Sequence, residues 1–308
     1  MMVCMSLVIE PLAGDNLNEV IAFVRESNPF AQRTWGWDTG RFMDWRFGGN
    51  TVREAESPGW FSQHCTVFRD GTLIKAVTIS EYGLQSVCII TTDEDPESIE
   101  EVLPWLMKHH GERCAGVILD TSDSADWLNI IVSDHGFTRE SETGNEWEYD
   151  LTSVAETSQI PEGFTIEHLA SDRSRDYDGI AECIKRAFNT DHDPRPALVS
   201  LEGNPMFKPE LSVFARSSEG RVAAYCRGTV DPENGVCGID PVCCHPDFQR
   251  MGLSKAVVQA CFRTQRDLGG RFSYIGSAPE PAPGTYLYRS LGQSNRDIFS
   301  SWKINTPK

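Results

Sequence analysis

Residues 242–269, VCCHPDFQRMGLSKAVVQACFRTQRDLG, have the types and spacing of an anion-binding site. An apolar strand is followed by a short turn over residues 249–254 and then by an amphipathic helix. Such a turn directs several free backbone N–H groups, and the positive end of the helix dipole, toward one point. Gly252 lets the backbone approach a ligand without a Cβ in the way. The segment therefore predicts a turn that binds a pyrophosphate.

This turn resembles the cofactor loop of the GNAT acyltransferases, which reads Gln/Arg-x-x-Gly-x-Gly/Ala between a strand and a helix. Gln249, Gly252 and Ser254 stand at its defined positions, and Ser254 departs from the usual Gly or Ala. Downstream, TYLYRSLG at 285–292 resembles the second signature of the family. The resemblance covers residues 164–304 and implies an acyltransferase that uses acetyl-CoA.

The resemblance also implies that coenzyme A threads its pantetheine between two diverging strands, at 236–244 and 271–277. Pro241 lies within the first of these strands and cannot donate a ladder hydrogen bond, so a bulge or an unpaired side is predicted there. The predicted cofactor-binding residues are Val242, Cys243 and Cys244 beside the pantetheine, and Gln249, Arg250, Met251, Gly252, Leu253, Ser254 and Lys255 around the pyrophosphate, with Arg250 and Lys255 as supplementary cations.

Transfer of an acyl group from a thioester to an amine requires a neutral amine, a stabilised oxyanion and a proton for the departing thiolate. Tyr288 lies four residues before Gly292, where the family often has a tyrosine that acts as this acid. The resemblance therefore predicts Tyr288 as the general acid, and packing of a helix tyrosine on the sheet is the alternative. Tyr286 is the local competitor, but it points to a different side of the helix.

The general base is less determined by the sequence. Asp240 precedes the pantetheine segment and alternates with Val242 and Cys244, so its side chain is expected on their face of the strand. Asp240 is the candidate base, with solvation at a strand bulge as the alternative. Glu202 lies in the segment 190–210, where such folds usually shape the acceptor pocket, and is the candidate ligand of the substrate amine.

Three neighbouring side chains have simpler explanations than catalysis. His245 precedes a proline beside the turn, where a structural role is favoured. Cys243 and Cys244 would allow a covalent acyl-cysteine mechanism, but the sequence implies no nearby base and strand packing is favoured. Direct attack by the primary amine of a small molecule is therefore the predicted reaction.

The elements that position these residues occur twice along the chain. Residues 7–12, LVIEPL, match 164–169, FTIEHL, and each half then has two apolar runs joined by a hairpin turn. This order predicts an α/β protein with two tandem GNAT-like domains, each a mixed, mostly antiparallel central sheet flanked by helices. The predicted boundaries are 1–150 for the first domain, 151–163 for a linker and 164–308 for the second domain.

The first half lacks the features of the cofactor loop. The corresponding place, residues 91–103, reads TTDEDPESIEEVL and gathers six carboxylates at a predicted helix start, where they would repel a pyrophosphate. Val132 stands where the second half has Tyr288. The first half is therefore predicted to be a degenerate copy that does not bind the cofactor. Its segment 35–49, WGWDTGRFMDWRFGG, suits either a pocket wall or core packing.

Composition excludes several classes of function. The net charge of -17 is concentrated in residues 1–150, which carry 26 acidic and 10 basic side chains, against 19 and 18 in residues 151–308. Nucleic acid and anionic membrane surfaces are therefore not expected as partners. The sequence shows no apolar run of the roughly 20 residues that a spanning helix needs, and no secretion signal, so a cytoplasmic protein is expected. Its ten cysteines include no CxxC pair, which favours reduced thiols over disulfides or a zinc site.

The leading hypothesis is thus an acyl-CoA-dependent N-acetyltransferase acting on a small-molecule amine. A non-catalytic acyl-CoA-binding sensor or scaffold is the alternative from another class. A tRNA-dependent aminoacyl transferase of related fold is disfavoured because the sequence predicts no basic surface. The sequence leaves the acceptor open, and also whether the chain forms a homodimer.

Overall fold

The computed structural model describes residues 7–27, 37–81, 83–92, 95–114, 116–155, 159–169 and 173–305. The elements of the N-terminal half are β1 (Val8–Pro11), α1 (Leu17–Glu26), α2 (Thr39–Phe47), α3 (Gly49–Glu56), α4 (Trp60–His64), β2 (Cys65–Asp70), β3 (Leu73–Ser80), β4 (Ser86–Ile90), α5 (Pro96–His109), α6 (Gly111–Cys114), β5 (Gly116–Ser122), α7 (Asp126–Asp134) and β6 (Thr138–Asp150). Those of the C-terminal half are β7 (Phe164–His168), α8 (Arg173–Phe188), α9 (Arg195–Ser200), β8 (Ser212–Ser217), β9 (Val222–Asp231), β10 (Val236–Cys244), α10 (Leu253–Asp267), β11 (Phe272–Ser277), α11 (Pro283–Arg289) and β12 (Asn295–Asn305).

The first of two compact units contains the described residues within 1–42, 53–146 and 297–308. Its strands are ordered β1-β2-β3-β4-β5-β12-β6. The pairs from β1 to β4 and the pair of β5 with β12 are antiparallel, and β4 pairs with β5 in parallel. The apolar faces of α5 and α7 bury one core of this unit against the sheet.

The second unit contains the described residues within 43–52 and 147–296. Its strands are ordered β6-β11-β10-β9-β8-β7. The pair β10 and β11 is parallel, and the pairs from β10 to β7 are antiparallel. All ten residues of β9 are buried, since one core includes side chains of α10 and another includes side chains of α8. The predicted fold class, a mixed and mostly antiparallel α/β protein, is confirmed.

The two units are not continuous in sequence, which differs from the predicted domains of 1–150 and 164–308. The reason is that each half supplies a strand to the sheet of the other. The C-terminal strand β12 pairs with β5 of the first unit, from Phe299 opposite Ser122 to Asn305 opposite Gly116. Residues 147–150 of β6 belong to the second unit, where β6 neighbours β11. The short segment Met43–Val52 also belongs to the second unit.

All nine cysteines in the described part of the chain are free thiols, and seven of them are buried. Among the helices that the structure describes, none combines the length and the apolar character required to cross a bilayer.

Candidate active site

The strands β10 and β11 are paired only at their beginnings. Their parallel register ends at the pair Gly238 and Tyr274, although β10 continues to Cys244 and β11 to Ser277. Residues 242–244 remain paired with β9 on the other side. Because alternate residues of a strand direct their N–H and C=O groups to opposite edges, β10 presents backbone groups along the edge that β11 leaves. This is the divergence that the resemblance to the GNAT acyltransferases implies.

A bulge interrupts β10 where it begins to separate from β11. The register with β9 shifts between Ile239 and Val242, so β10 carries one extra residue at Asp240 and Pro241, as Pro241 predicted. The shift interrupts the alternation from which Asp240 was expected on the face of Val242 and Cys244. Asp240 is exposed, and its carboxylate forms no hydrogen bond or ion pair with any residue that the structure describes.

The turn before α10 leaves the helix N-terminus open. Arg250 and Gly252 have left-handed backbone conformations, with φ of 65° and 84°, and Gly252 is the N-cap of α10 without a side-chain hydrogen bond. The first N–H groups of α10 therefore lack an intrahelical or capping partner. A Cβ built on Gly252 would have no heavy atom within 4 Å. The geometry is that of an anion-binding turn facing open space.

The side chains around this turn differ in their contacts. Gln249, Arg250 and Met251 are exposed, and Arg250 forms no hydrogen bond or ion pair with the described residues. Lys255, predicted as a second cation, instead donates from Nζ to the carbonyl oxygen of Ser290 at 2.7 Å. Arg250 is thus the cation available to an anion at the turn, while Lys255 joins α10 to the end of α11.

Tyr288 lies at the end of α11 with its ring packed in the core of the second unit. The side chain is 7% exposed, against 68% for Tyr286, so the two tyrosines face opposite environments as predicted. The Tyr149 hydroxyl donates to the backbone oxygen of Tyr288 at 3.0 Å, and a Cβ on Gly284 would lie 3.1 Å from the Tyr288 ring. These contacts fix the position of the ring.

The hydroxyl of Tyr288 is chemically available. It has no hydrogen-bond partner among the residues that the structure describes. Burial raises the pKa of Tyr288 above its ordinary value, and the Asp240 carboxylate raises it further. The phenol is therefore protonated throughout the neutral range, and it lies within electrostatic range of the predicted base.

The two cysteines of β10 are poorly suited to nucleophilic catalysis. Burial raises the pKa of the Cys244 thiol to about 11. The contact of Cys243 with Cys183, with sulfur atoms 3.9 Å apart, and burial raise the pKa of Cys243 as well. Both groups therefore remain thiols near neutral pH, which disfavours an acyl-cysteine intermediate.

His245 has a structural position. Its Nδ1 accepts the backbone N–H of Asp247 at 3.2 Å and so caps the short turn Pro246–Phe248. Burial lowers the pKa of His245. The neutral His245 ring therefore caps the turn that follows β10. This agrees with the structural role that its place before a proline favoured.

A buried ion pair beside the bulge was not found from the sequence. Arg227 of β9 donates from Nη1 to Asp44 Oδ1 at 3.0 Å and from Nη2 to Asp44 Oδ2. Burial would lower the pKa of Arg227, but the Asp44 carboxylate outweighs it and the guanidinium stays charged. The two residues are 183 positions apart, so no local spacing signals the pair.

Glu202 is exposed in the turn Leu201–Gly203. The hydroxyl of Tyr177 donates to Glu202 Oε1 at 3.0 Å, and Asn204, two residues on, donates to Asp44 Oδ1 at 3.1 Å. The contact with Asn204 places the predicted acceptor segment beside the Asp44–Arg227 pair. The structure brings Glu202, Asp44 and Arg227 into one region of the second unit.

In the first unit, a side chain caps the helix N-terminus that corresponds to the open N-terminus of α10. Helix α5 begins at Pro96, and its N-cap Asp95 accepts the backbone N–H of Ser98 at 3.1 Å. A carboxylate therefore occupies the helix N-terminus that is open in the second unit. Val132 is fully buried in the apolar core. Asp93 and Glu94 of the predicted acidic cluster lie outside the described residues.

Sequence comparison identifies one family. Residues 177–292 match the acetyltransferase (GNAT) family. A comparison with curated protein sequences finds no match.

Solved structures resemble the chain over nearly its whole length. A tandem GNAT protein from the clavulanic acid biosynthesis pathway covers 98% of this chain and 100% of its own, with 12% identity and a TM-score of 0.66. A GCN5-related N-acetyltransferase from Sphaerobacter thermophilus covers 97% and 95%, with 14% identity and a TM-score of 0.61. A GNAT-family acetyltransferase from Colwellia psychrerythraea covers 96% and 99%, with 10% identity and a TM-score of 0.60. At these identities the likeness shows a shared fold.

Proposed function

We propose that the second unit is an acyl-CoA-dependent N-acyltransferase, because residues 177–292 match the acetyltransferase (GNAT) family. Its acyl donor is acetyl-CoA and its acceptor is the primary amine of a small molecule. The observation that carries the proposal is the divergence of β10 from β11 beside the uncapped N-terminus of α10. The open backbone groups of the strand edge suit the pantetheine of coenzyme A. The open N–H groups of the helix terminus suit its pyrophosphate.

The residues of the turn fit a pyrophosphate. The backbone N–H groups of 250–254 have no competing side-chain cap, and a Cβ at Gly252 would occupy space that the protein leaves open. Arg250 supplies a positive charge at the same place. On this proposal Val242, Cys243 and Cys244 hold the pantetheine by their backbone groups. Lys255 supports the cofactor site indirectly, because its hydrogen bond to Ser290 joins α10 to the end of α11.

The proposed reaction is direct attack. The neutral amine nitrogen adds to the thioester carbonyl carbon, and the C–S bond breaks as the amide forms. Asp240 accepts the proton that the amine loses, and Tyr288 donates a proton to the departing thiolate sulfur. The availability of the Tyr288 hydroxyl and the absence of any partner for Asp240 in the described part of the chain support these roles.

The charged residues around the proposed acceptor site favour a positively charged amine. Asp240 and Glu202 are exposed carboxylates, and Arg227 is neutralised by Asp44. A protonated amine would therefore be attracted before it loses its proton for the reaction. We propose Glu202 as a ligand of this amine, with Tyr177 holding its carboxylate by the 3.0 Å hydrogen bond.

Calorimetric titration of the full-length chain with coenzyme A tests the proposal. One site per chain is expected, and Gly252→Asp should abolish binding because it adds a side chain and a negative charge where the phosphates approach. Gly220→Asp is the matched control, since Gly220 also has a left-handed φ of 85° and open space around a Cβ. Equal affinity of the Gly252→Asp variant and the wild type would refute the proposed cofactor site.

A further inference from the structure

The segment Met43–Val52 contributes a charged side chain to the second unit although it lies far outside the matched region 177–292. Asp44 is bound by both Nη atoms of Arg227 and by the amide of Asn204. The side chains of Asp44 and Arg227 are 17% and 8% exposed. Burial raises the pKa of Asp44, and the contacts with Arg227 and Asn204 oppose this shift.

The backbone of this segment packs closely against the residues that precede Glu202. A Cβ built on Gly48 would lie 3.3 Å from Cδ2 of Leu201, and one on Gly49 would lie 3.6 Å from Cβ of Ala197. Leu201 begins the turn that carries Glu202. The segment Met43–Val52 therefore packs beside the turn that carries Glu202, the residue proposed to bind the amine.

Asp240 lies next to the Asp44–Arg227 pair in the sheet. Ile239 pairs with Gly228 and Val242 with Cys226, so Arg227 is the β9 residue opposite the bulge at Asp240 and Pro241. The Asp240 carboxylate also raises the pKa of Arg227 and of Tyr288. Among the described residues Asp44 is the hydrogen-bond partner of Arg227, and Arg227 retains further N–H groups. If Asp44 lost its charge, Arg227 would be an uncompensated cation close to Asp240.

We propose that Asp44 is a positioning residue for the acceptor, which keeps Arg227 neutralised so that the Asp240 carboxylate remains available to a cationic amine. The inference rests on the proposed acyl transfer. It assigns a role in the second unit's reaction to a residue from the N-terminal half. Asp44 acts through Arg227 and Asp240 and touches neither substrate.

The full-length chain offers a charge-balance test. Asp44→Asn leaves Arg227 uncompensated, so kcat/KM for the amine should fall about tenfold, while the Kd for coenzyme A stays within about twofold. The double variant Asp44→Asn/Arg227→Gln removes both charges and should recover most of this loss. The assay measures thiol release from acetyl-CoA with spermidine, tyramine and glucosamine as probe amines.

Asp176→Asn is the matched control. Asp176 accepts from Arg216 at 2.9 Å, and their side chains are 10% and 19% exposed in the same unit. Its loss should lower the melting temperature without changing the KM for the amine. A crystal structure of Asp44→Asn should also show the Arg227 guanidinium within hydrogen-bond distance of Asp240.

Each outcome decides between a positioning role and a structural one. A double variant no more active than Asp44→Asn, or an Asp44→Asn enzyme with unchanged kinetics, would overturn the inference while the acyltransferase proposal stands. Wild-type protein that releases thiol with none of the three amines would overturn the proposed function and the inference with it.

Discussion

The Tyr288 side chain combines a fixed ring with an unpartnered hydroxyl, judged over the described residues. The contacts of its backbone with Tyr149 and of its ring with Gly284 hold it at the end of α11. Burial raises its pKa, so the proton needed by a departing thiolate is present at neutral pH. A phenol in this state meets the requirement for a general acid.

Tyr288→Phe should lower kcat by about 10²-fold, because it removes the O–H and keeps the packed ring. The affinity for coenzyme A should be unchanged. Since the pKa of Tyr288 is raised, its deprotonation should cause no loss of wild-type activity below about pH 10, the ordinary value for tyrosine. Rates and cofactor Kd measured for Tyr288→Phe and Tyr286→Phe separate the two hydroxyls. A large loss in Tyr286→Phe alone would show that the exposed tyrosine is the acid.

Cys244→Ser should retain turnover within about threefold of the wild type. With a pKa of about 11, roughly one Cys244 side chain in 10³ is a thiolate at pH 8, which is too few for a competent nucleophile. Steady-state rates and mass spectrometry of protein incubated with acetyl-CoA check this. A 10²-fold loss together with an acetylated Cys244 in the wild type would establish an acyl-cysteine mechanism instead.

Local sequence predicted part of this chemistry. Helical spacing was enough to separate Tyr288 from Tyr286, because two residues in succession on a helix lie on different faces. The pair Asp44 and Arg227 could not be predicted, since its partners are 183 residues apart and neither stands in a recognisable pattern. Strict alternation could not place the Asp240 side chain, because alternation assumes an unbroken strand and the bulge adds a residue.

Helix α10 is hydrogen-bonded to the sheet at the point where β10 and β11 separate. Gln265 is fully buried on this helix, and its Nε2 donates to the carbonyl oxygens of Thr229 at 3.0 Å and Gly238 at 2.8 Å. Gly238 is the last residue of β10 that pairs with β11. The Gln265 amide therefore bonds β9 and β10 to the helix at the start of the divergence.

Gln265→Met should destabilise the protein by about 1–3 kcal/mol, because it leaves two buried carbonyl groups without this donor. Gln259→Met is the control on the same helix, where no hydrogen bond of the described side chain is lost and a change within about 0.5 kcal/mol is expected. Denaturant unfolding of both variants measures the difference. Equal stabilities would show that the Gln265 hydrogen bonds contribute little.

The elements around the turn were largely predictable. Apolar residues at helical spacing predicted an amphipathic helix after the turn over residues 249–254, and α10 spans Leu253–Asp267. Pro241 predicted a bulge or an unpaired side because proline cannot donate to the ladder, and the structure has a bulge there. The open N-terminus of α10 followed from Gly252, whose positive φ allows the turn to approach a ligand. The contribution of Gln265 was missed, since a glutamine within a helix carries no sequence signal of burial.

The tandem arrangement was predicted from repeated strand and hairpin patterns, but the exchange of strands between the two halves was not. Strands β6 and β12 are the last strands of the N-terminal and C-terminal halves. Sequence patterns do not say which sheet each of them joins. The structure assigns residues 147–150 to the second unit and residues 297–305 to the first. A cut between the halves therefore removes part of each sheet.

A fragment of residues 151–308 should neither fold cooperatively nor bind coenzyme A. It lacks Trp147 and Tyr149, which are buried in the core of the second unit, and burial of each large aromatic contributes about 3–5 kcal/mol. It also lacks the segment Met43–Val52. Thermal unfolding and calorimetry of the fragment beside the full chain test this. Cofactor binding by the fragment with the affinity of the full chain would contradict it.

Amine-dependent thiol release is the direct test of whether the chain transfers an acyl group from acetyl-CoA to an amine. The full-length chain is incubated with acetyl-CoA and each of spermidine, tyramine and glucosamine, and the amide product is identified by mass spectrometry. We expect release with at least one amine, one amide formed per thiol, and no release by Gly252→Asp. Coenzyme A binding by the wild type without amine-dependent release from any of the three would contradict it and favour a cofactor-binding sensor.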